Sequence, residues 1–196
     1  MGVDGRRRAL LDRPWTWLRQ VHGADVVTVT RPGEHAGAAA DAAVTTDRGA
    51  ALAVGTADCA PLALAADCGD GAVIAAVHAG WKGLAAGIIE ATVATMRAAG
   101  AGEIQAALGP CIHAGCYEFG EAELAQVVER AGSAARGVTR SGATALDVPA
   151  AVRGVLASVG VDLAHDAGVC TACSSDHWSH RARGDVERQA MVVWLP

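Results

Sequence analysis

Apolar residues along this chain fall mostly into short runs and switch to helical spacing in three places. Residues 15–20 and 24–30 read as two strands around a turn at His22-Gly23. Val26, Val27 and Val29, with Thr28 and Thr30, are the β-branched side chains that pleated backbone favours. Residues 42–46 and 51–55 repeat the signal, the second leading into Ala57-Asp58-Cys59. Pro61 interrupts, residues 62–66 form another short run, and residues 72–77 form a continuous apolar one that predicts a buried strand. After His78 the period changes. Leu84, Ile88, Val93 and Met96 predict a helix over 83–98 with Gly100 as its stop, so 78–83 is a tight turn from strand to helix. A strand over 104–108 ends at Gly109-Pro110. Helices follow over 121–131, with Leu124, Val127 and Val128 inward and Gly132 as cap, and over 148–159, ending at Gly160. Residues 191–195 close the chain as a strand. Strands and helices mix without strict alternation, which gives an α/β or α+β class built on a large sheet.

No linker, low-complexity tract or repeat divides the 196 residues, so a single domain over 1–196 is expected. With 52% hydrophobic and 19% charged residues the chain is not disordered, and much of its core must be alanine. A net charge of −5 with five Trp, one Tyr and one Phe argues against a nucleic-acid partner. No apolar run is long enough to span a membrane, and the basic start (Arg6, Arg7, Arg8) has no apolar stretch behind it, so a cytoplasmic protein with reduced thiols is expected. The six cysteines include one CxxC, Cys170-Thr171-Ala172-Cys173, a weak zinc signal when alone. Cys111, Cys116 and Cys170 read as packing thiols, Cys68 as a turn residue and His113 as a loop residue.

Three segments put a metal-competent or nucleophilic side chain in a turn at a strand end: Gln20-Val21-His22-Gly23, Ala57-Asp58-Cys59-Ala60-Pro61 and His78-Ala79-Gly80-Trp81-Lys82-Gly83. Two imidazoles and a thiolate suit zinc, with a fourth position left for water or substrate; copper can take the same set. Without a metal, Cys59 is a nucleophile with His78 or His22 as its base. Residue types alone leave both readings open.

These segments, with Gly109-Pro110-Cys111-Ile112, Tyr117-Glu118, Cys170-Thr171 and Ser179-His180-Arg181, resemble in order and content the laccase-domain family once called multicopper polyphenol oxidases and now regarded as purine nucleoside phosphorylases. The resemblance covers the chain from about Trp15 onward. It implies a four-layer α/β/β/α sandwich like the deamidase domain of cytotoxic necrotizing factor toxins, and Zn2+ (alternatively Cu2+) on His22, Cys59 and His78. It further implies phosphorolysis of adenosine, inosine, guanosine and methylthioadenosine, with adenosine deamination. Purine nucleoside and phosphate are the expected partners, in a monomer or small homo-oligomer. Cys59, His78 and Asp58 are the expected catalytic residues, Asp58 also as a support for its neighbours. Gln20, Lys82 and Arg181 are the expected substrate contacts, with phosphate near Lys82 at a helix start after Gly83. Trp81 and Tyr117 offer rings for a purine, though a core role suits Trp81 better. Two features depart from the family pattern. His22 comes early, so the N-terminal part of the family fold is expected to be missing, and a catalytically weakened metal-binding relative would share that feature. Val186-Glu187-Arg188-Gln189 has Glu187 where the family has glycine, so Arg188 is not carried over as a site residue. The same residue types also suit a copper-dependent polyphenol oxidase or a metal-free Cys/His hydrolase.

Overall fold

The computed structural model describes residues 3–196; Met1 and Gly2, the start of the segment read above as carrying no secretory signal, lie outside it. In chain order the elements are α1 (Val3–Leu10), β1 (Trp15–Trp17), β2 (Val26–Val29), β3 (Ala42–Thr45), β4 (Ala51–Thr56), β5 (Ala60–Cys68), β6 (Gly71–Ala79), α2 (Trp81–Ala86), α3 (Ile88–Ala98) and β7 (Gln105–Leu108). They continue with α4 (Glu121–Ala131), β8 (Arg136–Val138), β9 (Thr144–Leu146), α5 (Val148–Ser158), β10 (Asp162–Asp166), α6 (His180–Arg183) and β11 (Gln189–Trp194). A six-stranded mixed sheet has the order β10-β7-β5-β6-β3-β2, a three-stranded sheet the order β1-β4-β11, and β8 and β9 form a hairpin. No described helix is long and apolar enough to cross a membrane.

Strand β6 explains the layering. Its residues alternate between two cores: Val73, Ala75, Val77 and Ala79 pack with Leu84, Ile88, Val93, Val127 and Val152 of the helices. Ile74 and Ala76 pack with Leu52 and Val54 of the second sheet. A strand covered on both faces has no polar positions, which is why 72–77 reads as an unbroken apolar run. Arg7 of α1 lies 5.9 and 5.5 Å from the ring centroids of Trp15 and Trp17 on the outer side of the three-stranded sheet. The layers are thus helix, sheet, sheet, helix, the α/β class the sequence predicts.

Local corrections have local causes. The helix expected over 83–98 is two helices starting at Trp81, broken at Gly87, whose φ of 90° is left-handed and available to glycine at little cost. Pro61 does not interrupt a strand: it sits inside β5 opposite His78, near the strand's end, where a missing N–H costs little.

Candidate metal centre

The chemistry gathers where β5 and β6 meet the ends of the second sheet. In the β6 register His78 shares the face of Ala76 and Ile74, toward the second sheet, and pairs with Pro61 of β5. Cys59 lies in the bend that leads into β5, two residues before Pro61. Asp41 stands one residue before the Ala42–Val77 pair of β3 and β6, so it also flanks His78. Its carbonyl accepts the His78 backbone N–H at 2.7 Å, and its side-chain Oδ1 lies 2.8 Å from His78 Nδ1. His22 arrives from the turn between β1 and β2, at a left-handed φ of 59°.

Asp41 is fully buried and holds that turn in place. Oδ1 also accepts the His22 N–H at 2.9 Å, and Oδ2 accepts those of Gly23 at 2.8 Å and Val21 at 3.2 Å. Burial alone would raise its pKa, but the His78 and backbone hydrogen bonds outweigh this and keep the carboxyl below its ordinary value. With Nδ1 engaged by the carboxylate, His78 keeps Nε2 for another partner, the arrangement that orients metal-bound histidines. No sequence signal beyond a lone carboxylate among alanines points to Asp41.

One donor atom from each of His22, Cys59 and His78 lies within 4.8 Å of the others. The two rings meet edge to face at 4.8 Å between centroids. Burial of Cys59 opposes ionisation, yet hydrogen bonds from His22 and His78 pull its pKa down to about 6. Burial of His78 likewise opposes its charge, and Asp41 and Cys59 overcome it, raising the pKa to about 9. Gly80 leaves the space beside them open: a Cβ there would stand 2.9 Å from His22 Cδ2 and 3.0 Å from Cys59 Sγ. Two borderline nitrogens, one soft sulfur and a carboxylate behind one imidazole form a donor set that fits zinc or copper.

The triad opens into a cavity of about 520 Å³ lined by Trp81, Tyr117, His180, Arg181 and Arg188 together with Gln20 and Asp58. Asp58 is buried at a left-handed φ of 91°, and both its oxygens are engaged. Oδ1 accepts the Thr171 hydroxyl and Oδ2 the Arg181 backbone N–H, each at 2.7 Å. It pins the C-terminal segment over the cavity. Gln20 spends both ends of its amide on Gly55, donating to the carbonyl at 2.7 Å and accepting from the N–H at 2.8 Å. The Arg181 guanidinium lies 4.5 Å above the Tyr117 ring and donates to the Glu118 carbonyl. Burial and the nearby Cys59 raise the Tyr117 phenol to about 12, so it stays neutral.

Lys82 is exposed, with Nζ 5.6 Å from the Trp81 centroid, and it is not among the lining residues. Its helix is short and begins before Gly83, so the expected helix start after Gly83 does not exist. His180 and Arg188 are wall residues for which the sequence gives no role. His180 belongs to the Ser179-His180-Arg181 motif but has no partner marked in the sequence, and Arg188 stands in a segment that departs from the family pattern.

Residues 5–196 match the profile of the family described as multi-copper polyphenol oxidoreductase laccase. A purine nucleoside phosphorylase of Streptomyces coelicolor is 43% identical over 198 residues, 100% of this chain and 78% of the relative. One of Corynebacterium glutamicum is 40% identical over 92% of this chain and 74% of its own. Among solved structures, a Neisseria meningitidis protein superposes with a TM-score of 0.84 at 31% identity, over 98% of this chain and 79% of that one. YlmD from Geobacillus stearothermophilus gives 0.82 at 27% identity, over 96% and 78%.

Proposed function

The chain belongs to the multi-copper polyphenol oxidoreductase laccase family, and from that premise we propose that it is a zinc-dependent purine nucleoside phosphorylase. The observation that carries this reading is one cavity in which a His-His-Cys donor set faces two arginines and two aromatic rings. Relatives named purine nucleoside phosphorylase, 40–43% identical over most of this chain, support it.

Phosphorolysis joins a phosphate oxygen to the ribose C1′ as the bond from C1′ to the purine nitrogen breaks, and the purine leaves with the bonding electrons. The phosphate dianion needs fixed positive charge, and Arg181 and Arg188 are the cations in the wall. Trp81 and Tyr117 offer faces for the purine. Asp58 and Gln20 act by fixing the walls, because their polar atoms are already committed to the chain. His180 is the imidazole in the wall outside the triad, and it holds a proton for the departing base. Zinc, when bound to His22, Cys59 and His78, supplies a Lewis-acidic charge beside the reacting groups.

The same site suits the range expected from the resemblance: adenosine, inosine, guanosine and methylthioadenosine, with deamination of adenosine as a second activity. A multi-electron oxidase fits less well. The other metal-competent cluster among the described residues consists of three cysteines, not of imidazoles beside the triad. The test is phosphate-dependent release of adenine from adenosine by protein of measured metal content. His22→Ala, Cys59→Ala and His78→Ala should each lose the zinc held by this triad, read as a drop of one equivalent, together with turnover. Base release indifferent to phosphate, or full zinc occupancy in Cys59→Ala, would overturn the assignment.

A further inference from the structure

Three sulfurs converge at a second place that the cavity does not use. Cys116 ends a 3-10 turn over Ala114–Cys116, and Cys170 and Cys173 lie 57 residues from His113 and Cys116 respectively. Cys116 Sγ is 3.4 Å from Cys173 Sγ, and the three sulfurs all lie within 4.8 Å of one another. The guanidinium of Arg140 donates to Cys173 Sγ at 3.0 Å, and the His113 backbone N–H donates to Cys170 Sγ at 3.4 Å.

We propose that Cys116, Cys170 and Cys173 form a second metal site that takes one divalent thiophilic ion, zinc by preference, with its fourth position toward solvent. Geometry favours this over a disulfide. Zinc–sulfur bonds of about 2.3 Å at tetrahedral angles put sulfurs roughly 3.8 Å apart, inside the range found here. A disulfide would use two of the sulfurs and strand the third. Charge agrees. Three thiolates around a divalent ion leave one net negative charge, and Arg140 sits on the cluster to balance it. Donor N–H groups on thiolate sulfurs are the outer contacts that tune such sites. Cys173 is exposed, which gives an ion an entry path.

The ion would staple the turn after β7 to the C-terminal segment. Thr171, between two of the ligands, donates to Asp58, and Tyr117, next to the third, lines the cavity. Zinc here stabilises a wall of the first site without touching its ligands.

The test uses the full chain, reduced and stripped with a chelator, then titrated with zinc alone. In a His22→Ala/Cys59→Ser/His78→Ala background, one equivalent should still bind. Adding Cys173→Ser should weaken that binding at least a hundredfold, and cobalt in place of zinc should give sulfur-to-metal charge-transfer absorption that the same substitution removes. Where the background variant does not fold, the otherwise native chain should bind two equivalents and Cys173→Ser one. Equal zinc binding with and without Cys173, or a Cys116–Cys173 disulfide that forms as fast with saturating zinc as without it, would overturn the proposal.

Discussion

Replacing Asp41 by asparagine tests the logic of the centre at its least visible point. The carboxylate receives four N–H groups, two on each oxygen: His22 and His78 on Oδ1, Val21 and Gly23 on Oδ2. An amide has one acceptor and one donor end, so one pair of N–H groups must face an NH2 whichever way the side chain turns. Hydrogen bonds to a charged group contribute about 1.5–3 kcal/mol each. Losing two in a fully buried place costs about 3–5 kcal/mol, even after relief from burying a charge. At about 2–4 °C per kcal/mol for a chain of this size, the melting temperature should fall by about 10 °C. The measurement is made on chelator-stripped protein, so that lost metal does not enter the result.

The metal readout is separate. If the amide nitrogen faces His78, Nδ1 must become the acceptor and the ring proton moves to Nε2, the nitrogen left for the metal. If it faces Val21 and Gly23 instead, the residues on either side of His22 lose their anchor and the turn that carries the ligand loosens. Zinc affinity should therefore drop by about 10–100-fold, the usual range for contacts behind a ligand. A stripped Asp41→Asn protein within about 2 °C of the native chain, with unchanged zinc affinity, would refute this reasoning.

Gly80→Ala should act on the metal more than on the fold. Gly80 has φ −75° and ψ 165°, which alanine adopts freely, but the new methyl stands 2.9–3.0 Å from a ring carbon of His22 and the sulfur of Cys59. Moving these by a few tenths of an ångström exceeds the roughly 0.2 Å tolerance of a metal site, so metal analysis after dialysis should find at least tenfold weaker zinc retention, with a stability change near 1 kcal/mol. Arg188→Ala should raise the apparent KM for phosphate about tenfold with a smaller effect on nucleoside, whereas Lys82→Ala should leave phosphate dependence alone; steady-state assays varying each substrate decide. Gly154→Ala should destabilise by about 2 kcal/mol in urea unfolding, despite alanine's better helix propensity, because its Cβ would run into the Ala131 carbonyl where α5 packs on α4.

Some of the fold can be read from the chain because burial on two faces leaves no choice of residue. Strand β6 is apolar at every position from Val73 to Val77 for that reason, and α4 and α5 show one apolar stripe each because one face is buried, that of α4 against α2 and α5 and that of α5 against α4 and the sheet. Strand β10 is illegible for the opposite reason. It is an edge strand with the sequence Asp162-Leu163-Ala164-His165-Asp166, mostly exposed, and its pairing with β7 is made by backbone groups that any sequence carries. The break at Gly87 is hidden because α2 and α3 bury residues at nearly continuous helical spacing, so the period runs across the kink.

The centre divides along the same line. Side chains that do chemistry had to be His or Cys, and a histidine or cysteine at a strand end is conspicuous in so alanine-rich a chain. Asp41, Asp58 and Gln20 work by accepting or donating to backbone groups of distant segments, and no spacing rule links Asp41 to Val21, His22 and Gly23, or Asp58 to Thr171 and Arg181. The cysteine cluster falls between these cases. Cys170 and Cys173 are visible as a CxxC, but the third sulfur comes from a turn far upstream, carried there by the β-bridge that joins Cys111 to Cys170. That bridge fixes where the C-terminal segment crosses the end of β7. The same crossing brings Thr171 to Asp58 and the sulfurs to one another, so the two clusters are consequences of a single piece of backbone pairing. A substitution that frees residues 170–173 from Cys111 should therefore disturb the thiol cluster and the cavity wall together, whereas Cys173→Ser should disturb the cluster first.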